Sequence, residues 1–287
     1  LAFVAVEIIA GLVGNSLALL TDAAHNLTDV LALGLSWYAI RLAARPAHAS
    51  KTFGYHRSGI LVALFNATSL TFISLGIFSE AWQRLQTPPE VQPAILIGVG
   101  LLALLVNLGT AWLVKEGSEH DLNLRSTFLH LMGDVISTLG AVLAGAIILF
   151  TGWNWLDPLV SALIGALILW NAWGILRQAI NILLESTPPD VNIETMLQDL
   201  QTLPGVQGIH DLHVWSITEE MRMLSAHIVT NDQNLSAVTG LQRQISQLLA
   251  ERYQIEHTTL QLECAECKQA ELFCTWPQKS PSPETSH

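Results

Sequence analysis

The sequence predicts a membrane α-helical protein, a bundle of six transmembrane helices with the first truncated, followed by a cytoplasmic α+β domain of ferredoxin-like (metallochaperone-like) layout. Three observations predict it. Of 287 residues, 51% are hydrophobic and only 13% charged, and the apolar ones are gathered into runs of membrane-spanning length. The runs stop at Ser186-Thr-Pro-Pro-Asp190, beyond which the composition is that of a soluble segment. That segment orders its patterns helix, strand, strand, helix, strand, which folds as one sheet covered by helices. The expected domains are 1–185 in the membrane, 186–268 in the cytoplasm, and a disordered Pro/Ser-rich tail over 269–287.

In chain order, Leu1 to Val13 is apolar apart from Glu7, and no basic stretch precedes it. It reads as the last part of a helix rather than a signal peptide. Ser16 or Leu17 to Leu42 follows as helix 2, long enough to cross about 30 Å of hydrocarbon. The next loop holds Arg41, Arg45, Lys51 and Arg57 with no acid, so it belongs on the cytoplasmic side. Helix 3 runs from Ser58 to about Trp82, and Pro88-Pro89 mark the outer turn. Pro93 to Val114 is helix 4, a mixed-charge inner loop spans Lys115 to Ser126, and Thr127 to Phe150 is helix 5. Asp157-Pro158 opens helix 6, the Asp suited to the N-cap and the Pro to the first helical position. Beyond Pro189, helical spacing covers Ile193 to Leu203 and Leu235 to Tyr253, and strand alternation covers Val206 to Ile217, Met223 to Val229 and Thr258 to Glu263.

Several function classes are excluded. The net charge is -11, and the basic residues form no run that would bind phosphate backbones, so nucleic acid is not a partner. No His-Glu-x-x-His, Gly-x-Ser-x-Gly or P-loop is present, which argues against an enzyme. The three cysteines lie between Cys264 and Cys274, so no disulfide framework organises the chain.

Ionisable groups at bilayer depth are costly and need a partner, a wet cavity or a function. Helix 2 carries His25 and Asp29, and helix 5 carries His130 and Asp134. The i,i+4 spacing puts imidazole and carboxylate on one helix face. One such pair alone could be a structural lock between helices. Two equally spaced pairs facing each other make a two-His, two-carboxylate cage that suits zinc in ligand number and type. Glu7, Asp22 and Asn107 are further polar residues in the apolar runs, open to interhelical hydrogen bonding or metal contact.

These pairs, the segment Asn15-Ser-Leu-Ala-Leu-Leu-Thr-Asp-Ala-Ala-His-Asn-Leu-Thr-Asp29, Phe53-Gly-Tyr-His-Arg57, His130-Leu-Met-Gly-Asp134, Asp157-Pro158 and His210-Asp-Leu-His-Val-Trp-Ser216 together resemble the cation diffusion facilitator family in its zinc-transporter branch. The resemblance runs from Leu1 to about Glu263. It implies a homodimer in the lipid bilayer that exports zinc from the cytoplasm in exchange for protons, with His25, Asp29, His130 and Asp134 as the transport site. It also implies regulatory zinc in a cytoplasmic metal-binding and dimerisation domain at His210, His227 and Glu263, with Cys264-Ala-Glu-Cys267 in the place of an added Cys-x-x-Cys; as free thiols, these two cysteines would bind nothing. His213-Val-Trp215 is expected to pack the domain or its dimer face. A bacterial inner membrane and a vesicle membrane would both leave this domain in the cytoplasm. Two departures stand out. Lys51 and Tyr55 replace the histidines of a second loop site found in some bacterial members, and the loop between helices 4 and 5 holds only His120. A non-transporting zinc sensor or partner subunit is the competing reading, and the complete four-residue set argues against it.

Overall fold

The computed structural model describes residues 1–118, 122–232, 234–264 and Leu272, with the backbone alone described over 116–118 and 122–126. Six helices come first, α1 (Ala2–Val13), α2 (Leu17–Ala43), α3 (Ser58–Gln86), α4 (Pro93–Ser118), α5 (Leu122–Thr151) and α6 (Leu156–Leu183). Four are long and apolar enough to cross a membrane: α3, α6, and the stretches Pro93–Lys115 of α4 and Thr127–Thr151 of α5. At 27 residues α2 has the length, but Thr21, Asp22, His25, Asn26, Thr28 and Asp29 dilute its apolar character. Large side chains on the outer faces, such as Phe72, Leu105, Phe150 and Trp170, are exposed. On helices of this composition, such faces meet lipid.

Two helices run past their apolar stretches. An i,i+4 pair between Glu80 and Arg84 at 2.8 Å carries α3 beyond Trp82, up to the proline pair. The inner loop expected over 115–126 is largely helical, because α4 continues to Ser118 and α5 begins at Leu122.

Close packing between α4 and α5 depends on missing side chains. A Cβ on Gly100 would lie 2.8 Å from Val142 Cγ2, and one on Gly145 would lie 3.0 Å from Leu96 Cγ. Small residues let membrane helices approach in this way. Ala10, Ala18, Leu19, Leu96, Ala141 and Ile148 form the buried cluster that joins α1, α2, α4 and α5.

The start of α2 is anchored from a distance. Asp157, expected to cap α6, lies inside the first turn of that helix and serves α2 instead. Its Oδ1 accepts from Ser16 Oγ at 2.6 Å and from Ala18 N at 3.3 Å, and its Oδ2 accepts from Leu17 N at 2.6 Å. Helix starts leave backbone N–H groups without partners, and a buried carboxylate requires donors. Each need is met by the other. Asn15, in the left-handed region at φ 54, makes the turn before α2, and its carbonyl accepts from Arg84 Nη1 at 2.9 Å.

Leu1–Pro46 with Leu61–Ala179 forms one compact unit, and Ala47–Ile60 joins the chain from Ile180 onward in a second. The second unit holds α7 (Ile193–Gln201), β1 (Gly208–Ser216), β2 (Arg222–Thr230), α8 (Leu235–Tyr253) and β3 (His257–Cys264). The sheet order is β1-β2-β3, with β1 antiparallel and β3 parallel to β2. Leu212, Val214, Leu224, Ala226 and Ile228 of the strands pack on Met196 and Leu200 of α7 and on Leu241, Ile245 and Leu249 of α8. Burying each large aliphatic side chain contributes about 1.5–3 kcal/mol. The two helices are tied by Asp199, which accepts from Arg252 Nη1 and Tyr253 Oη, each at 2.7 Å. Hydrogen bonds from Tyr253, then Arg252, hold the Asp199 carboxyl below its ordinary value. Within the same unit, Arg57 pairs with Glu185 at 3.0 Å, and the Phe53 ring meets the edge of His257 at 6.2 Å.

Candidate functional site

On α2 and α5 the two His/Asp pairs come together. His25 Nε2 lies 3.6 Å from Asp29 Oδ2 on its own helix and 3.3 Å from Asp134 Oδ1 across the gap. His130 Nε2 lies 3.8 Å from Asp134 Oδ2 on its own helix and 3.1 Å from Asp29 Oδ2 across it. Imidazole and carboxylate therefore alternate around a four-membered ring, with the two imidazoles 5.6 Å apart and edge-on. Ligand atoms of His25, His130 and Asp134 all lie within 4.8 Å of one another, a spread that a metal ion could fill. Asp29 joins through its separate contacts with both histidines.

Burial differs around the ring. The side chains of His25 and Asp134 are 11% and 13% exposed, against 28% for Asp29 and 44% for His130. The ring thus has an enclosed side and an open side. Nδ1 of His25 is buried and has no hydrogen-bond partner among the described residues. Its Nε2 is the nitrogen that faces the carboxylates.

Glu7 and Asn107, two of the weaker polar candidates, make interhelical hydrogen bonds. Asn26 Nδ2 donates to Glu7 Oε1 and Oε2 at 3.4 and 3.2 Å, joining α2 to α1. Asn107 Nδ2 donates to Thr138 Oγ1 at 3.1 Å, joining α4 to α5. Glu7 and Asp22 are both buried.

A second His/carboxylate group lies on the sheet. His210 and His227 face each other across the β1–β2 pairing, and Glu263 sits two residues beyond the partner of His227 on β3. Their positions share the face opposite the helix-covered core. His210 Nε2 is 3.0 Å from Glu263 Oε2, and His227 Nδ1 is 2.9 Å from Glu263 Oε1. Again the ligand atoms fall within 4.8 Å of one another. Burial opposes ionisation of Glu263, but hydrogen bonds from Gln261 and His210 and the charges of His227 and His210 outweigh it, so its carboxyl stays below the ordinary value. An ionised carboxylate between two imidazoles fits a divalent ion.

The remaining predicted positions separate. Cys264 ends β3 as an exposed free thiol outside that group, and Cys267, like His120, lies outside the described residues. His213 is exposed and holds Asp211 Oδ1 at 3.1 Å, while Val214 packs in the core of the sheet. In the loop before α3, His48 Nε2 meets Tyr55 Oη at 3.1 Å and its Nδ1 meets Ser50 Oγ at 3.1 Å. Sequence reasoning missed Asp211, which comes within 3.6 Å of His227 Nε2. No periodic signal could have found it, because an irregularity in β1 puts it there.

Comparison with known proteins accounts for nearly the whole chain. The cation efflux transmembrane domain matches residues 1–184, and the cytoplasmic domain of cation efflux proteins matches residues 188–265. Among relatives, the chain is 37% identical to the metal cation efflux system protein CzcD of Cupriavidus metallidurans over 94% of this chain and 85% of that one. It is 38% identical to the cadmium, cobalt and zinc/H(+)-K(+) antiporter of Bacillus subtilis, over 91% and 85%. It is 40% identical to the zinc transporter ZitB of Pectobacterium atrosepticum, over 92% and 82%. A solved structure of the metal-bound C-terminal domain of the CzcD transporter is 30% identical over 25% of this chain and 99% of that one, with a TM-score of 0.23. With both domain types matched in order on a multi-pass helical bundle and a cytoplasmic α+β domain, the chain belongs to the cation efflux, or cation diffusion facilitator, family of divalent-cation transporters.

Proposed function

We propose that this protein exports zinc from the cytoplasm in exchange for protons, with His25, Asp29, His130 and Asp134 as the transport site. The observation that carries the reading is the alternating ring, in which each imidazole Nε2 contacts a carboxylate on its own helix and one on the other. Names of relatives that mention zinc and H(+) support the choice of ions.

The chemistry follows from the donor set. Neutral imidazole nitrogen and carboxylate oxygen are good zinc ligands, and binding requires both to be deprotonated. Open to a near-neutral cytoplasm, the site gives up protons and takes the ion. Open to a more acidic side, protons compete for the same atoms and the ion leaves. Histidine, with an unperturbed pKa of about 6.5, titrates in the range where that exchange operates. Two imidazoles favour zinc over harder ions that prefer oxygen. Alternate exposure of a midplane site by rocking helices would complete the cycle.

In the same reading the protein is a homodimer of the bacterial inner membrane, and its cytoplasmic domain holds regulatory zinc at His210, His227 and Glu263, with Cys264 and Cys267 as adjacent thiolates. The test is zinc entry into proteoliposomes with an acidic interior, with internal pH followed alongside the metal. Zinc moving inward as protons move outward, with both absent in Asp134→Ala, is the expected result. Transport by Asp134→Ala at the native rate would remove the site from the reading. Zinc movement without proton movement would remove the exchange.

A further inference from the structure

We infer that Asp211 is a positioning residue for metal held by the cytoplasmic sheet: its carboxylate orients His227 so that Nδ1, rather than Nε2, is presented to the ion. The inference rests on the reading of His210, His227 and Glu263 as a metal site.

His227 is flanked by carboxylates on two sides. Its Nδ1 lies 2.9 Å from Glu263 Oε1 and its Nε2 lies 3.6 Å from Asp211 Oδ2. The Nδ1 side faces the group that holds His210, whose ring is 5.0 Å away and edge-on. A neutral imidazole that ligates through one nitrogen carries its proton on the other and needs an acceptor there. Asp211 is that acceptor. At 3.6 Å the pair is longer than a hydrogen bond, and the inferred role requires the ring to turn toward Asp211.

The backbone of β1 is shaped to make this contact. In a regular strand, residue 211 would face away from His210 and into the core beneath the helices. Between His210 and His213 the register with β2 shifts, because two residues of β1 stand against one of β2. Asp211 occupies the bulge at φ 50, a conformation in which Asp and Asn are the best tolerated non-glycine residues. The extra residue returns Asp211 to the face of the histidines and leaves Leu212 in the core. Its second oxygen is held by His213 Nε2 at 3.1 Å. Among the described residues His210 has no equivalent support, since its buried Nδ1 finds no hydrogen-bond partner among them.

Outer carboxylates of this kind fix the tautomer of a ligating histidine and raise its basicity, with losses of about 10–100-fold in metal affinity on removal. The experiment uses the full chain in detergent with Asp29→Ala and Asp134→Ala, which silence the helical cluster. Zinc is titrated against a chromophoric chelator for the otherwise native sheet and for Asp211→Asn, Asp211→Gly and Glu263→Gln. Both substitutions at 211 tolerate a positive φ, so the bulge persists, and thermal unfolding without metal checks it. The expected result is an unchanged number of bound ions, about 10–100-fold weaker binding in both variants, and loss of the single His227 tautomer in nitrogen-15 spectra of histidine-labelled protein. Unchanged affinity overturns the inference, as does weaker binding with the tautomer intact. Loss of a whole equivalent of zinc makes Asp211 a ligand and overturns it too. Tight binding by Glu263→Gln removes the metal-site reading instead, whatever the 211 variants do.

Discussion

In the helical cluster each imidazole meets a carboxylate four residues along its own helix, at 3.6 and 3.8 Å, as well as one from the opposite helix. In the sheet cluster the three residues come from three different strands, and the nearest two in sequence are seventeen positions apart. The difference lies in what holds each group together. Half of the helical ring is set by backbone hydrogen bonding within one element, so only the approach of α2 to α5 remains to be arranged. The sheet group depends wholly on strand register, and a slip of one residue would send a ligand to the opposite face. A site that can part along one seam while keeping each half intact suits an ion that must pass through. A site locked by register suits an ion that stays.

Predictions that could break this contrast begin with the ring itself. Asp134→Ala should abolish zinc flux in proteoliposomes, by about 100-fold or more, while Glu263→Gln should reduce it only a few-fold. Equal losses in the two variants would erase the distinction between a site on the path and a site beside it.

Removing the anchor of α2 should come next in size. Asp157→Ala strands Ser16 Oγ and two buried N–H groups, and should destabilise the membrane unit by about 3 kcal/mol, read as a lower melting temperature in detergent. Asp157→Asn, which keeps an acceptor, should recover part of the loss. Gly145→Val forces a side chain against Leu96 and should cost about 1–3 kcal/mol by the same measurement.

His25→Asp sharpens the comparison from the side of selectivity. Exchanging an imidazole for an oxygen donor should lower the preference for zinc over manganese by about tenfold in competition flux assays. An unchanged ratio would mean that the ring does not choose the ion.

The smallest effect concerns the frame of the sheet cluster. The Asp199 carboxyl lies below its ordinary value in the folded protein, so the stability it contributes is present above the unfolded value of about 3.9 and is lost as pH falls through the folded value. Asp199→Asn should therefore unfold earlier than the native cytoplasmic unit at neutral pH, with the gap closing as the pH drops below about 4. A gap that widens in acid would have the wrong sign.

Outside the stretch 115–126, read as a loop and found largely helical, the sequence by itself determined the helices, the strands and both halves of the helical ring. Apolar runs, proline and glycine breaks and i,i+4 spacing are local features, and local hydrogen bonding is enough to read them. The residues of the sheet cluster were reached only through family resemblance, since no spacing in the chain links His210, His227 and Glu263. Tertiary structure alone decided that Asp157 caps α2 rather than its own helix, because three unmet donors lay 139 to 141 residues away. It also decided that Asp211 stands beside His227, because one extra residue in β1 reverses the direction of a side chain that strand alternation would have sent into the core.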